Sequence, residues 1–208
     1  MNQCTDVFKQ LCSHDNLLHA FLKAKKGKAN RPDVQKFEAR LEQELLQLLW
    51  ELESRTYKPQ PLKRFIIHDP KTRVIHASAF RDRVVHQALV STLEPLFEKI
   101  FIYDSYASRK DKGVLAAVVR FVSFMRKVSR NGRLVRNAKD ANLVIGYVLK
   151  ADIKHYFDTV DHATLLSMVR RKMNDEGVLW LVQQVLDNFA TKVPGKGMPL
   201  GNYTSQFF

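Results

Sequence analysis

The chain has 208 residues, 45% of them hydrophobic, with 34 lysines and arginines against 21 acids and a formal net charge of +13. That size and apolar content exclude a disordered tail and allow one medium domain or two small ones, while the excess of base, spread along the chain, favours a polyanionic partner bound through its phosphates. Cys4 and Cys12, with no histidine or cysteine at zinc-finger spacing, exclude a disulfide framework; no stretch approaches the roughly 18 apolar residues of a membrane span, and the N-terminus lacks a signal-peptide core, so the expected location is the cytoplasm with no membrane partner.

A leading helix gives way to the basic turn AKKGKANRPD (Ala24 to Asp33), readable either as a phosphate contact or as an ordinary solvated loop. From Asp33 to Ser54, Phe37, Leu41, Leu45, Leu48, Leu49 and Leu52 recur at helical spacing and predict one long amphipathic helix. The prolines of YKPQPLKRF end it. Lys63 to Ser78 reads as two β-rich runs around Asp69-Pro70-Lys71-Thr72, a hairpin whose turn proline presets φ. Lys63, Arg64, His68, Lys71 and Arg73 crowd its tip. Phe80 to Lys99 reads as a helix with Val84, Ala88 and Leu89 inward, bent or restarted near Pro95.

Val114 to Val128 is a further helix, stopped at Asn131-Gly132. Around the stop lie Arg126, Lys127, Arg130, Arg133, Arg136 and Lys139, a set that fits a solvated face as well as RNA. IGYVLKADI (Ile145 to Ile153) is short, apolar and β-branched, which predicts a buried strand. Asp161 can cap the next helix, with Leu165, Leu166, Met168 and Val169 as its buried side. A helix from about Glu176 to Phe189 follows, and after a turn-rich stretch Asn202 or Thr204 can start another. Helices with one hairpin and at least one buried strand make the chain α+β or α/β.

Acid concentrates in LKADIKHYFDTVDH (Leu149 to His162). Asp152 stands one residue before the end of the predicted strand, where a carboxylate can hold a divalent cation among hard oxygen ligands. One aspartate does not hold magnesium tightly by itself, so spacing leaves both a metal ligand and a structural carboxylate open. Asp158 reads as a turn residue and Asp161 as a cap.

Several blocks in order resemble the reverse transcriptases of bacterial retroelements. LKADIKHYFDTVDH is similar to the first catalytic motif of that family. KTRVIHASAFRDRVVHQALVSTLEPLFEKIFIYDSYASRKDKG (Lys71 to Gly113) resembles its fingers blocks. GMPLGNYTSQFF (Gly197 to Phe208) resembles its Gly-x-Pro-x-Gly block. The likeness covers roughly residues 63 to 208 and is nearest to group II intron-like enzymes, especially those of diversity-generating retroelements.

The resemblance implies an α+β fold, the fingers and partial palm of a right-hand polymerase. Residues 1–62 would be an N-terminal helical extension, 63–145 fingers and 146–208 a partial palm. It implies that Asp152 and the Ile153 carbonyl bind catalytic magnesium in a two-metal site. Phe157 matches the position that excludes the 2′-hydroxyl of a ribonucleotide. Arg73, helped by Lys71, matches the cations that grip the triphosphate, and Leu200 and Gly201 belong to the nucleotide site. Arg64, Arg81, Arg83, Arg109 and Lys110 are the candidates for nucleic-acid contact. The implied partners are an RNA template, a DNA primer, a dNTP and an accessory protein of the retroelement.

Two departures from the family pattern stand out. Leu200 replaces the glutamine of many members, as in the error-prone diversity-generating enzymes. The Tyr-x-Asp-Asp motif, which supplies the other metal carboxylates, is missing, and there is no adjacent Asp-Asp pair. The expectation is therefore a truncated RNA-directed DNA polymerase, inactive alone. The alternatives are a non-catalytic basic RNA-binding protein derived from it and a small nuclease using Asp152 and Asp158.

Overall fold

The structure, a computed structural model, describes residues 7–68, 70–131 and 146–208. The chain divides into two units, Met1–Ile100 with His155–Phe208, and Phe101–Lys154. The first holds a helical core and the second an exposed helix with its leading loop.

In the first unit, α1 (Val7–Leu11) and α2 (His14–Lys25) lead. Ser13 caps α2 by accepting a hydrogen bond from the Asn16 amide at 3.2 Å, and Leu17, Ala20, Phe21 and Ala24, spaced three and four apart, are its buried face. The predicted long helix from Asp33 to Ser54 is broken into α3 (Pro32–Glu38) and α4 (Leu41–Glu53). Arg40 leaves the helical region at φ −127° and ψ 31°. The break lets the two halves serve different neighbours: Phe37 of α3 stacks on Phe21 with centroids 5.7 Å apart and meets Phe80 edge-on at 5.3 Å, while Leu45, Leu48 and Leu52 of α4 are buried, with α4 packed against α2.

β1 (Lys63–His68) and β2 (Thr72–Ala77) form the predicted hairpin, antiparallel with Lys63 opposite Ala77 and His68 opposite Thr72, so that Lys63 and Arg64 stand at its open end and not at its tip as expected. Its turn residue Asp69 lies outside the described residues. The central helix α5 (Phe80–Phe97) buries Val84, Val85, Ala88, Leu89 and Leu93 completely and packs against α1, α2 and α3. It runs through Pro95 without restarting. A proline two residues before the end forfeits only one hydrogen bond, in the last turn of the helix.

Two buried polar ties fix the roots of the hairpin. The Asp82 carboxylate of α5 accepts hydrogen bonds from the Tyr57 hydroxyl at 2.8 Å and the Gln60 amide at 2.9 Å, fastening the segment that leads into β1. Burial holds the Asp82 carboxyl above the usual carboxylate range, against the opposing pull of those two donors. On the other strand, the amide and hydroxyl of Ser78, between β2 and α5, both donate to Asn202 Oδ1 at 3.1 and 2.9 Å.

The rest of this unit comprises α7 (Tyr156–Thr159), α8 (His162–Arg170), α9 (Glu176–Asp187) and α10 (Tyr203–Phe207), the last packed on α5. Asp161 caps α8 as predicted, accepting from the Thr164 amide at 2.8 Å. The buried side of α8 is narrower than predicted. Val169 and His162 are buried, Leu165 and Leu166 are half-buried and Met168 is exposed, because α8 packs chiefly against one neighbour, α9. Asn202 precedes α10 but does not cap it through its side chain, its oxygen being taken by Ser78.

In the second unit, α6 (Val114–Val128) has the predicted bounds. Of the basic residues around its stop, Arg133, Arg136 and Lys139 lie outside the described residues, as do Gly132 and Cys4. The loop before α6 is stitched to it by alternating cations and rings. Lys112 Nζ lies 3.8 Å from the Tyr103 ring, Arg120 lies 4.4 Å from Phe124, and Arg120 pairs with Asp104 at 2.8 Å. That hydrogen bond holds the Asp104 carboxyl below the usual carboxylate range.

The predicted buried strand, Ile145 to Ile153, is not one where it is described. Gly146 to Ile153 forms no strand, with Leu149 93% and Ile153 70% exposed. A continuous apolar run becomes a buried strand only when flanking strands take its amides and carbonyls. Among the described residues the sheet consists of β1 and β2 alone.

Candidate active site

The hairpin presents Arg73, opposite Ile67, and Lys71, just before β2; both are exposed. Alternation along β2 puts Arg73, Ile75 and Ala77 on one face. The loop Gly197–Asn202 docks on the free edge of this strand. The His76 amide donates to the Leu200 carbonyl at 3.0 Å, and Gly201 lies against Ile75, two residues along the strand from Arg73. Gly201 has φ +113°, and a Cβ there would stand 2.6 Å from Ile75 Cγ2. Backbone and space both demand glycine.

The same loop is bound at its other end to the segment that carries Phe157. The Gly197 amide donates to the Val160 carbonyl and the Met198 amide to the Phe157 carbonyl, each at 2.7 Å. Asp161 bridges Lys196 in antiparallel fashion. Gly197, at φ +88°, has the Phe157 and Asp158 carbonyls 3.2 Å from where its Cβ would be and Thr191 Cγ2 at 2.5 Å. Glycine is therefore required for the loop to lie this close. The half-buried Phe157 makes an edge-on contact with Tyr156 at 5.4 Å, and the Tyr156 hydroxyl donates to the Phe208 carbonyl at 3.0 Å.

Phe157, Leu200, Gly201 and Arg73 are thus linked through one seam of backbone hydrogen bonds and strand neighbours. Asp152 and Ile153 belong to the other unit, in the exposed stretch after Gly146. The donors offered there are one carboxylate and one carbonyl. No group of three histidines, cysteines, aspartates or glutamates able to hold a metal occurs among the described residues, so they do not make a complete cation site by themselves.

The cations named from sequence divide by surroundings. Arg64 is exposed on β1 opposite His76, and Lys110 is exposed. Arg81 pairs with Glu51, both side chains largely buried, and lies 5.5 Å from the Tyr57 ring. Arg83 donates from Nε to the Ser78 carbonyl at 2.9 Å, and Arg109 donates to the Ile102 and Ser105 carbonyls at 2.9 and 2.8 Å. These three arginines hold loops and helix ends together. The partners of three organising residues carried no local signal: those of Asp82, His162 and Asn202 lie 25, 35 and 124 residues away.

No family model matches the chain. Protein YkfC of Escherichia coli (strain K12) is 31% identical over 176 residues, an alignment covering 81% of this chain and 43% of that protein. The group II intron-encoded protein LtrA of Lactococcus lactis subsp. cremoris is 24% identical over 172 residues, covering 79% of this chain and 26% of its own length. Among solved structures, a partial Cas6-RT-Cas1–Cas2 complex superimposes with a TM-score of 0.61 at 17% identity, over 99% of this chain and 33% of that one. The fold is that of reverse-transcriptase fingers and partial palm, helix-rich with a small antiparallel hairpin. Group II intron-encoded proteins are among its sequence relatives, which supports the resemblance to bacterial retroelement reverse transcriptases. It spans less than half the length of the relatives described here. No helix among the described residues is long and apolar enough to cross a membrane.

Proposed function

We propose that the chain is the nucleotide-gripping part of an RNA-directed DNA polymerase of a bacterial retroelement, working in the cytoplasm on an RNA template and a DNA primer. The observation that supports this best is the seam just described. Three blocks separated by tens of residues, each with its own likeness to the polymerase family, are joined there by short backbone hydrogen bonds. A basic RNA-binding protein would need the charge but not two glycines that let a loop thread between a hairpin and the Phe157 turn.

In this reading Arg73 and Lys71 bind the triphosphate of a dNTP, the arginine through its rigid fork of donors. Phe157 fills the space that a 2′-hydroxyl would occupy, and Leu200 and Gly201 line the nucleotide. Arg64 and Lys110, exposed and cationic, contact the nucleic-acid backbone. Asp152 and the Ile153 carbonyl contribute two oxygen ligands for magnesium, which in such polymerases stabilises the attacking and leaving oxygens. The remaining ligands must come from groups other than those described. Similarity to a chain that works within a Cas6-RT-Cas1–Cas2 complex supports an accessory protein as partner. Leu200 in place of glutamine supports low copying fidelity.

The test is nucleotide binding and primer extension side by side. A fluorescent dNTP should bind the chain, and Arg73→Ala should weaken that binding at least tenfold, roughly the loss of one charge-assisted pair. The 208-residue chain alone should not extend a primer on RNA with magnesium, whereas the full-length gene product carrying it should. Salt-sensitive RNA binding with no dNTP binding would favour the non-catalytic reading instead.

A further inference from the structure

One side chain takes part in the seam between the Phe157 segment and the Gly197 loop. His162, 5% exposed, opens α8. Its amide donates to the Gly195 carbonyl at 3.0 Å, and its ring Nε2 lies 2.6 Å from the Gly197 carbonyl oxygen. A carbonyl only accepts, so Nε2 carries the proton. Nδ1 is buried with no hydrogen-bond partner, and Asp187 Oδ1 stands 3.7 Å away.

The residue whose carbonyl the ring grips is the pivot of the loop. Gly197 donates its own amide to Val160, and the next amide, Met198, binds the Phe157 carbonyl. α7, which presents Phe157, is a single turn of four residues entered from His155 at φ +54°, and one turn does not hold itself in water. The place of Phe157 therefore depends on the loop. Two residues beyond Met198, the Leu200 carbonyl is fixed to β2 by the His76 amide.

We propose that His162 is a positioning residue for nucleotide selection. By holding the Gly197 carbonyl it sets the loop that registers Phe157 at one end and Leu200 at the other. This rests on the polymerase reading above. Without the ring, the loop keeps its glycines but loses its only described side-chain grip on the start of α8, and Phe157 can move away from the sugar it is meant to exclude.

The experiment compares His162→Leu and His162→Gln in the full-length gene product that carries these residues, with Arg73→Ala as a control. The readout is the ratio of kcat/KM for a dNTP to that for the matching ribonucleotide. His162→Leu should lower the ratio about fivefold, the factor one hydrogen bond of ordinary strength supplies. His162→Gln, whose amide N–H can reach Gly197, should keep most of it, and Arg73→Ala should lower both rates and leave the ratio unchanged.

In the 208-residue chain, amide hydrogen exchange at Gly197 and Met198 should quicken in His162→Leu and stay slow in His162→Gln. Primer extension with an unchanged ratio in His162→Leu overturns the role of His162 and leaves the polymerase reading standing. Unchanged exchange at both amides also overturns it. No extension by the unmodified protein overturns the polymerase reading and this inference with it.

Discussion

Two of the stretches that carry motif-like residues in this chain end in opposite conditions. Gly197–Asn202 is largely buried, its backbone bound to the Phe157 turn on one side and to β2 on the other. Gly146–Ile153, the more apolar of the two, is exposed and forms no strand, with Tyr147 94% exposed. Apolar content therefore did not decide which stretch was buried. What decided it was whether neighbouring segments offered partners for the backbone polar groups, the requirement that any buried chain must meet.

The strongest way to break this contrast is to add one methyl group in each stretch. Gly197→Ala puts a Cβ against two carbonyls and Thr191 at a backbone angle that alanine avoids, and should cost about 4 kcal/mol from strain and overpacking together. Gly146→Ala meets only Val128 Cγ1 at 3.9 Å, an ordinary contact within its own unit, and should change stability by less than about 0.5 kcal/mol. Urea denaturation of the two variants gives both numbers. Equal losses would mean that the loop is no more committed than the exposed stretch.

Acid should act on the buried side of the contrast. His86 of α5 is fully enclosed, with Nε2 unpaired and Nδ1 3.5 Å from Thr204 Oγ1 of α10. Burial pushes its pKa from 6.5 down to about 4. A base with a depressed folded pKa binds protons more readily when unfolded. Its contribution is fully present above pH 6.5 and is lost as pH falls toward 4, by about 3 kcal/mol. Asp82, whose folded carboxyl is raised above 3.8, acts in the opposite sense and returns some stability as it takes up its proton in the folded state. Thermal melts between pH 7 and 4 should show the loss, and His86→Leu should flatten it.

A smaller effect belongs to the latch between loop and hairpin root. Asn202→Ala leaves the Ser78 amide and hydroxyl without their buried acceptor, and should cost about 2 kcal/mol. A matched drop in midpoint in urea, with the slope unchanged, would confirm that the latch acts on the folded state rather than on the unfolded ensemble.

The features legible in the sequence were those whose signals are local. The hairpin around Pro70, the bounds of α6 and the Asp161 cap each depend on residues within a few positions. The helix break at Arg40 was invisible because apolar periodicity runs through it, and only the Phe21, Phe37 and Phe80 cluster shows why the chain turns there. The position of Arg81 was legible but its surroundings were not, since the Glu51 that pairs with it lies 30 residues away. His162 was visible only as half of an Asp-His pair, and the carbonyl it holds is 35 residues on. The Asp152 strand failed for the same reason in reverse: its signal was local, but a strand is a property of pairs.

The sharpest form of the contrast is a substitution that stability does not notice. Asp152 sits exposed in the stretch without strand partners, so Asp152→Asn removes a charge from water and breaks no described contact. Its cost should fall within about 0.5 kcal/mol of zero. In the proposed polymerase the same change removes a magnesium ligand, and primer extension by the full-length gene product should fall by at least about a hundredfold, in line with the several kcal/mol a catalytic metal contributes. Unchanged denaturation with abolished extension would show that the exposed stretch carries chemistry rather than stability. A large loss of stability in Asp152→Asn would instead mean that the carboxylate holds the fold, and the burial of Gly197–Asn202 would no longer set the two stretches apart.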